Sequence, residues 1–136
     1  MKQQLTPKQE AFAIETLKNI LHLFHEKRYD EVPGAVDESE IDDLPHYLRE
    51  YIQGTLDLND MDTFDEYGAP CSFHPQYEYH QLHFFDHYNG NSQCDGFSLD
   101  YEMTSGAELC QLVLQLAFLY QPDGSLRRVF QCVDPQ

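Results

Sequence analysis

Positive charge is scarce in this sequence. Its 136 residues include 8 Lys and Arg against 24 Asp and Glu, which gives a formal net charge of −16 at pH 7. Affinity for duplex nucleic acid comes largely from Lys and Arg side chains that neutralise phosphates. The charge balance therefore argues against a nucleic-acid partner.

Several sequence motifs are also absent. No run approaches the ~20 apolar residues of a membrane-spanning helix, and the first 30 residues carry no signal-peptide pattern. The cysteines (Cys71, Cys94, Cys110 and Cys132) form no Cys-x-x-Cys pair, which argues against a zinc ribbon or a thioredoxin-type site. Glycine motifs for phosphates or dinucleotides and the Gly-x-Ser-x-Gly motif are missing. We therefore expect a cytoplasmic protein with reduced thiols, no cofactor and no membrane partner.

The hydrophobic content, in contrast, is that of a folded domain. Hydrophobic residues make up 41% of the chain, so we expect one domain over residues 1–136 with its own core. At its start, Thr6 offers an N-cap hydroxyl, Pro7 suits the first helical position and Gln9 can complete a capping box. Apolar residues then recur every three or four positions, which predicts a helix from about residue 7 to 28.

A second helical region is predicted after a short connector. Pro45 means that this helix either restarts near Asp43 or kinks. Asp37 and Ser39 are candidate caps, and Gly54 is the expected C-terminal stop. Its apolar residues recur at helical spacing: Ile41, Leu44, Leu48, Tyr51 and Ile52.

The second half of the chain favours β-strands. Residues 77–88 are rich in Tyr, Phe and His and precede the turn dipeptide Asn89-Gly90, and residues 97–103 alternate between apolar and polar. The apolar runs 109–120 and 126–133 flank a turn and predict a long antiparallel hairpin, although the length of the first run would also suit a helix. The order indicates an α+β fold, with two N-terminal helices packed on a curved antiparallel sheet of about four strands.

The segment Lys27-Arg28-Tyr29-Asp30-Glu31-Val32, followed by a helix and then strands, resembles the cystatin-like cone fold of nuclear-transport-factor-like proteins. Residues 97–103, 109–120 and 126–133, with the turn Pro122-Asp123-Gly124, are similar to small, uncharacterised bacterial proteins of that shape. The resemblance spans about residues 10–134 and implies a cone. Its members include ketosteroid-isomerase-type enzymes, ligand-binding modules, dimerising scaffolds and toxin-immunity proteins. None of the isomerase catalytic positions can be matched here, and a fold alone does not assign function.

Histidines cluster in the middle of the chain, at His74, His80, His83 and His87. On a helix, the last three would share one face and could bind a metal. On a strand, His80 and His83 point to opposite faces, and His83 and His87 lie roughly 13 Å apart at ~3.3 Å per residue. Because the composition favours a strand, we predict no metal site and no catalytic residue here.

The charge distribution is the most specific feature of the sequence. Residues 51–126 contain no Lys or Arg, and the segment after the second helix concentrates acidic side chains: Asp57, Asp60, Asp62, Asp65 and Glu66. A regular EF-hand is excluded because Met61 and Asp62 occupy its fifth and sixth positions, which leaves only an irregular calcium site open. The segment is either a binding surface for a basic protein or simply a solvated charged surface.

We therefore predict a non-enzymatic, acidic binding protein that engages a basic protein partner through these five residues. An immunity-type inhibitor of a toxin or nuclease is one concrete form. The alternative is a small-molecule-binding protein or enzyme that uses the interior of the cone. A homodimer with a structural role is a third hypothesis, because exposed sheet faces commonly pair in such folds.

Overall fold

The computed structural model describes residues 5–69, 80–86, 88 and 95–135, and these form an α+β fold. Three α-helices lie in this part of the chain: α1 (Pro7–His25), α2 (Leu44–Tyr47) and α3 (Gln53–Leu58). A 3₁₀ helix (Tyr29–Ala35) follows α1, and one π-helical turn (Leu48–Ile52) joins α2 to α3. The strands within the same residues are β1 (Glu38–Ser39), β2 (His80–Phe85), β3 (Gly96–Ser105), β4 (Glu108–Tyr120) and β5 (Leu126–Pro135).

Helix α1 begins and ends at local signals. The Gln9 N–H donates to the Thr6 hydroxyl, and the Thr6 N–H donates to the Gln9 side chain, both over 3.1 Å, so the predicted capping box is confirmed. The helix ends at His25 rather than near residue 28. Lys27 has a φ of 58°, and this left-handed conformation turns the chain away from the helix axis.

The predicted restart near Asp43 is confirmed. Asp43 is the N-cap of α2, its carboxylate accepts from the His46 N–H over 3.4 Å, and Pro45 lies in the first turn. Asp37 and Ser39 are not helix caps, because Ser39 belongs to β1 and the Asp37 N–H donates to the Arg128 carbonyl of β5 over 2.9 Å. Both residues therefore contact strand β5 instead of capping a helix.

Gly54 does not end the second helical region. It lies inside α3, which continues to Leu58. Leu56 is fully buried, so its packing outweighs the low helix propensity of glycine at this position. The predicted stop is therefore wrong because tertiary contacts extend the helix.

The sheet contains five strands in the order β1-β5-β4-β3-β2 and is not closed. Strands β2 to β5 form antiparallel neighbours, as predicted, and β4 and β5 form the predicted hairpin. The fifth strand is β1, whose residues Glu38 and Ser39 pair parallel to Val129 and Phe130 of β5. The expectation of about four antiparallel strands is thus corrected to a five-stranded mixed sheet, since two residues are too few to show an alternating pattern. Residues 77–79, His87 and Asn89-Gly90 lie outside the described residues.

One main core lies between the helices and the sheet. Phe97, Leu99, Tyr101 and Met103 of β3 are all buried, which confirms the predicted one-sided strand. They join the buried stripe of α1 and its counterpart in α2 and α3 in a single cluster. The residues that these helices contribute are Ala13, Leu17, Ile20, Leu21, Phe24, Leu44 and Leu56, with Leu48 and Ile52 from the π-helical turn.

Large side chains fill the space between helices and sheet. Phe24, Phe64 and Phe118 are fully buried there, and Tyr101 is only 1% exposed. Rings pack against each other, for example Phe97 and Phe118 with centroids 5.1 Å apart. This filling argues against the hypothesis that the cone interior holds a ligand. Within the described residues, no helix combines the length and the apolar character needed to cross a membrane.

Candidate functional site

The acidic segment, residues 57–66, is fastened to the end of α1. Phe64 is fully buried, and its ring lies 6.1 Å from that of Phe24. Two side chains also join the segment to the last residue of α1. The Thr63 hydroxyl donates to the His25 carbonyl over 2.5 Å, and the His25 Nδ1 lies 2.7 Å from the Phe64 carbonyl oxygen. The segment is therefore a fixed part of the fold, although it has no regular secondary structure after Leu58, where α3 ends.

A second attachment ties the segment to the turn between β3 and β4. The Asp65 carboxylate accepts hydrogen bonds from the Thr104 hydroxyl over 2.9 Å, from the Gly106 N–H over 3.1 Å and from the Ala107 N–H over 3.0 Å. The Asp65 N–H donates in turn to the Thr104 carbonyl over 2.8 Å. Asp65 therefore has a structural role, because its carboxylate is used within the chain.

Three of the predicted partner-binding carboxylates face solvent. Asp57, Asp60 and Asp62 are exposed, and none of them forms an ion pair with any residue that the structure describes. Asp57 accepts one hydrogen bond, from the Gln53 side-chain amide over 3.0 Å. Between these acids, Leu58 is 87% exposed. The outer surface of the segment thus combines three uncompensated carboxylates with one apolar side chain.

Glu66, the fifth predicted residue, already has a neighbour within the chain. Its Oε1 lies 2.7 Å from the Nδ1 of His22 on α1. The other ring nitrogen of His22 lies 3.4 Å from the Glu26 carboxylate, so the imidazole sits between two acids. Partner binding by the five predicted residues remains a prediction. Asp65 is used to hold the β3–β4 turn and Glu66 lies against His22, so the exposed carboxylates of Asp57, Asp60 and Asp62 are the ones free of these two roles.

The arginines of the chain are occupied elsewhere. Arg28 pairs with Glu26 and Glu31, whose pKa values its guanidinium lowers. Each of the other three arginines also has a carboxylate partner: the pairs are Arg49–Asp30, Arg127–Glu38 and Arg128–Asp37. All these carboxylates belong to residues 26–38. Guanidinium charge is therefore neutralised in the N-terminal half and at β5, and none of it compensates the acidic segment.

The histidines of β2 are separated as predicted for a strand. The Nδ1 of His80 lies 3.2 Å from the Tyr67 hydroxyl, and the Nε2 of His83 lies 3.3 Å from the Asp100 carboxylate. His87 lies outside the described residues. Within the part of the chain that the structure describes, no group of three His, Cys, Asp or Glu side chains could hold a metal ion.

The two described cysteines are protected thiols. Burial raises the pKa of both Cys110 and Cys132 to about 12. The Cys132 thiol also donates to the Gln115 side-chain oxygen over 2.9 Å. Such thiols carry little thiolate at neutral pH and are poor nucleophiles. Cys71 and Cys94 lie outside the described residues.

Leu58 was not among the predicted site residues, although the sequence contains a signal for its exposure. The apolar residues Leu44, Leu48, Ile52 and Leu56 recur at a spacing of four and define the buried face of this helical region. Leu58 falls off that spacing, so the periodicity places it on the solvent side. An apolar residue that lies outside the buried stripe and next to acidic residues is the signal that indicates an exposed apolar side chain here.

Comparison with known proteins yields one match. The family model described as a domain of unknown function, DUF7668, matches residues 21–135. This range contains the acidic segment, the 3₁₀ helix and all five strands, and it leaves out the first turns of α1. No curated protein matches the chain. No solved structure matches it either.

Proposed function

We propose that this chain, which belongs to the DUF7668 family, is a non-catalytic binding protein whose acidic segment engages a basic protein partner. The observation that carries the proposal is the combination of attachment and exposure in residues 57–66. The segment is held from both sides, while Asp57, Asp60 and Asp62 remain exposed and without ion pairs to the described residues. An acidic loop that is already ordered loses little conformational entropy when it binds.

The negative charge of the chain indicates which class of partner it would bind. With a net charge of −16, the whole chain attracts cations, and the acidic segment lies within residues 51–126, which contain no Lys or Arg. Complementary potentials increase the rate of encounter and select partners more than they increase affinity. A partner with clustered Lys and Arg side chains is therefore the class that this surface favours.

Leu58 supplies the apolar contact that charge alone lacks. Its side chain is 87% exposed and lies directly after Asp57. Protein interfaces concentrate binding energy in a few apolar side chains surrounded by polar ones. We place Leu58 at the centre of the contact and the three aspartates around it.

An immunity-type inhibitor of a basic toxin or nuclease is the specific form of this function. Such a protein needs a rigid acidic surface and no reactive group of its own, and it would act in the cytoplasm. The order of helices before an antiparallel set of strands supports a relationship to the cystatin-like cone of nuclear-transport-factor-like proteins. The open sheet and the parallel strand β1 set this chain apart from a regular cone.

The test compares two triple variants with the same change in charge. The first replaces the exposed acids of the segment: Asp57→Lys, Asp60→Lys and Asp62→Lys. The control replaces three exposed acids of the N-terminal half: Glu10→Lys, Glu15→Lys and Asp42→Lys. Each immobilised protein is used to capture partners from host lysate, and the association rate with the purified partner is measured at low and high salt.

We expect the partner to be basic and its association rate to fall at least about tenfold between low and high salt. The segment variant should lose binding and the control should keep it. If the association rate does not depend on salt, or if both variants bind equally, the acidic segment is not the binding surface. Inhibition of a captured nuclease by the native chain would establish the immunity-type form.

A further inference from the structure

A surface cleft of about 470 Å³ lies between the first turns of α1 and the turn from β4 to β5. One wall of the cleft comes from residues 6–12 and the other from residues 123–126, so the two walls are far apart in sequence. Ligand sites of this size are typically apolar with a few polar groups. The lining that matters here consists of Lys8, Gln9, Phe12, Asp123, Ser125 and Leu126.

Phe12, which forms part of the apolar wall of the cleft, is held in place by Arg128. Phe12 is 40% exposed, and the guanidinium of Arg128 lies 5.7 Å from the centroid of its ring. Arg128 is fixed by Asp37, which accepts hydrogen bonds from its backbone N–H over 2.8 Å and from its guanidinium over 3.2 Å. The aromatic ring is therefore supported by a cation–π contact and an ion pair.

The neutral polar groups of the lining are used within the chain. Thr6 and Gln9 satisfy each other in the capping box. The Ser125 N–H and hydroxyl both donate to the Asp123 carboxylate, over 3.0 and 2.6 Å, and they lower the pKa of Asp123. Asp123 is thus ionised and places a negative charge in the lining of the cleft.

Lys8 is the cation that remains available to a ligand. Among the cationic side chains of the described residues, the four arginines are ion-paired and Lys18 lies over the Tyr67 ring at 5.8 Å. Lys8 and Lys27 form no ion pair with any described side chain, and Lys8 alone of these two lines the cleft. The cleft therefore offers an apolar wall next to one uncompensated ammonium group.

We propose that this cleft binds a small molecule with an apolar body and a single anionic head group, such as an aromatic carboxylate. The body packs on Phe12 and Leu126, and the head group pairs with Lys8. Asp123, which also lines the cleft, repels a second anionic group and thereby selects ligands with one negative charge. This site is independent of the acidic segment and of the function proposed for it.

The test uses amide NMR spectra of the isotope-labelled protein and three probes that share one body: phenylpropionate, phenylpropanol and phenylpropylamine. We expect shifts confined to the amides around Lys8, Gln9, Gly124 and Ser125. The carboxylate should bind about threefold more tightly than the alcohol, as expected for one exposed charge pair. The amine should bind more weakly than the alcohol.

Four variants assign the contributions. Lys8→Gln should abolish the preference for the carboxylate, and the matched control Lys27→Gln should keep it. Phe12→Ser should weaken all probes alike, and Asp123→Asn should strengthen the carboxylate about twofold, because Asn still accepts from Ser125 while the repulsion is removed. An unchanged preference in Lys8→Gln, tighter binding of the amine, or shifts located elsewhere would overturn the proposal. The amide spectrum of each variant verifies its fold.

Discussion

The carboxylate of Asp65 accepts a hydrogen bond from the backbone N–H of Ala107, 42 residues further along the chain, over 3.0 Å. Ala107 and its neighbour Gly106 both have left-handed backbone conformations, with φ of 72° and 57°. For alanine this conformation costs roughly 1 kcal/mol, and the hydrogen bonds that the Asp65 carboxylate accepts from the two backbone N–H groups offset that cost. An acid of the acidic segment therefore holds the turn that joins β3 to β4.

We expect Asp65→Ala to lower the free energy of unfolding by about 3 kcal/mol, because three donors lose a charged acceptor. Asp65→Asn keeps one acceptor oxygen and should cost less, about 1–2 kcal/mol. Urea unfolding followed by circular dichroism measures both. The control is Asp62→Ala, an exposed acid of the same segment, which should change stability by less than about 0.5 kcal/mol. Equal effects of Asp62→Ala and Asp65→Ala would contradict a structural role for Asp65.

Gly96→Ala should destabilise the protein by at least about 2 kcal/mol. A Cβ atom at this position would lie 2.0 Å from the Phe118 carbonyl oxygen and 3.0 Å from the Leu119 Cα, so β3 and β4 could not keep their present distance. Gly54→Ala is the matched control, since its Cβ would meet no atom within 4 Å and it lies inside α3. It should raise stability by about 0.5–1 kcal/mol. Thermal unfolding of the two variants should shift in opposite directions.

The Asp37–Arg128 pair predicts a pH dependence. Hydrogen bonds from Arg128 lower the pKa of Asp37 below its ordinary value, so ionisation of Asp37 favours the folded state. This stabilisation is complete above the unfolded pKa of about 3.9 and is lost as the pH falls through the lower folded value. We expect Asp37→Asn to cost about 1 kcal/mol at neutral pH, since the pair is partly exposed, and to cost progressively less in acid.

Urea unfolding at pH 7 and at successively lower pH measures this difference. Asp42→Asn provides the reference, because Asp42 is exposed and forms no ion pair with the described residues. A difference between native protein and Asp37→Asn that stays constant down to the most acidic condition would disprove the linkage between this pair and stability.

Leu58→Ser separates binding from folding. The leucine side chain is 87% exposed, so its replacement should change the free energy of unfolding by less than about 0.5 kcal/mol. If Leu58 is central to the interface, affinity for the basic partner should fall at least about tenfold, mainly through faster dissociation. Leu56→Ser is the contrasting variant, because Leu56 is fully buried and its change should unfold the protein. Unchanged affinity in Leu58→Ser would remove this residue from the interface.

Sequence patterns were sufficient for the elements that fold by local rules. The capping box at Thr6 and Gln9 located the start of α1, and the alternation around Leu99 and Tyr101 located β3 with its buried face. Both signals depend on neighbours in sequence: a hydroxyl near a free N–H, and side chains that alternate between two faces. The α+β class followed from the order of these elements.

Features that depend on distant contacts were not predictable in this way. Strand β1 forms because Glu38 and Ser39 pair with β5, and two residues alone do not reveal a partner 91 positions away. Asp65 looked like its acidic neighbours in sequence, and only the position of the β3–β4 turn distinguishes it. The extension of α3 past Gly54 likewise reflects the packing of Leu56 and not helix propensity.

The pairing of β1 with β5 has a consequence for biosynthesis. A ribosome delivers residue 38 long before residue 129, so a nascent chain can form α1 and its cap but cannot complete the sheet. Until β5 has been synthesised, part of the apolar face of α1 remains exposed to solvent. The complete sheet of this fold can therefore form only after β5 has been synthesised.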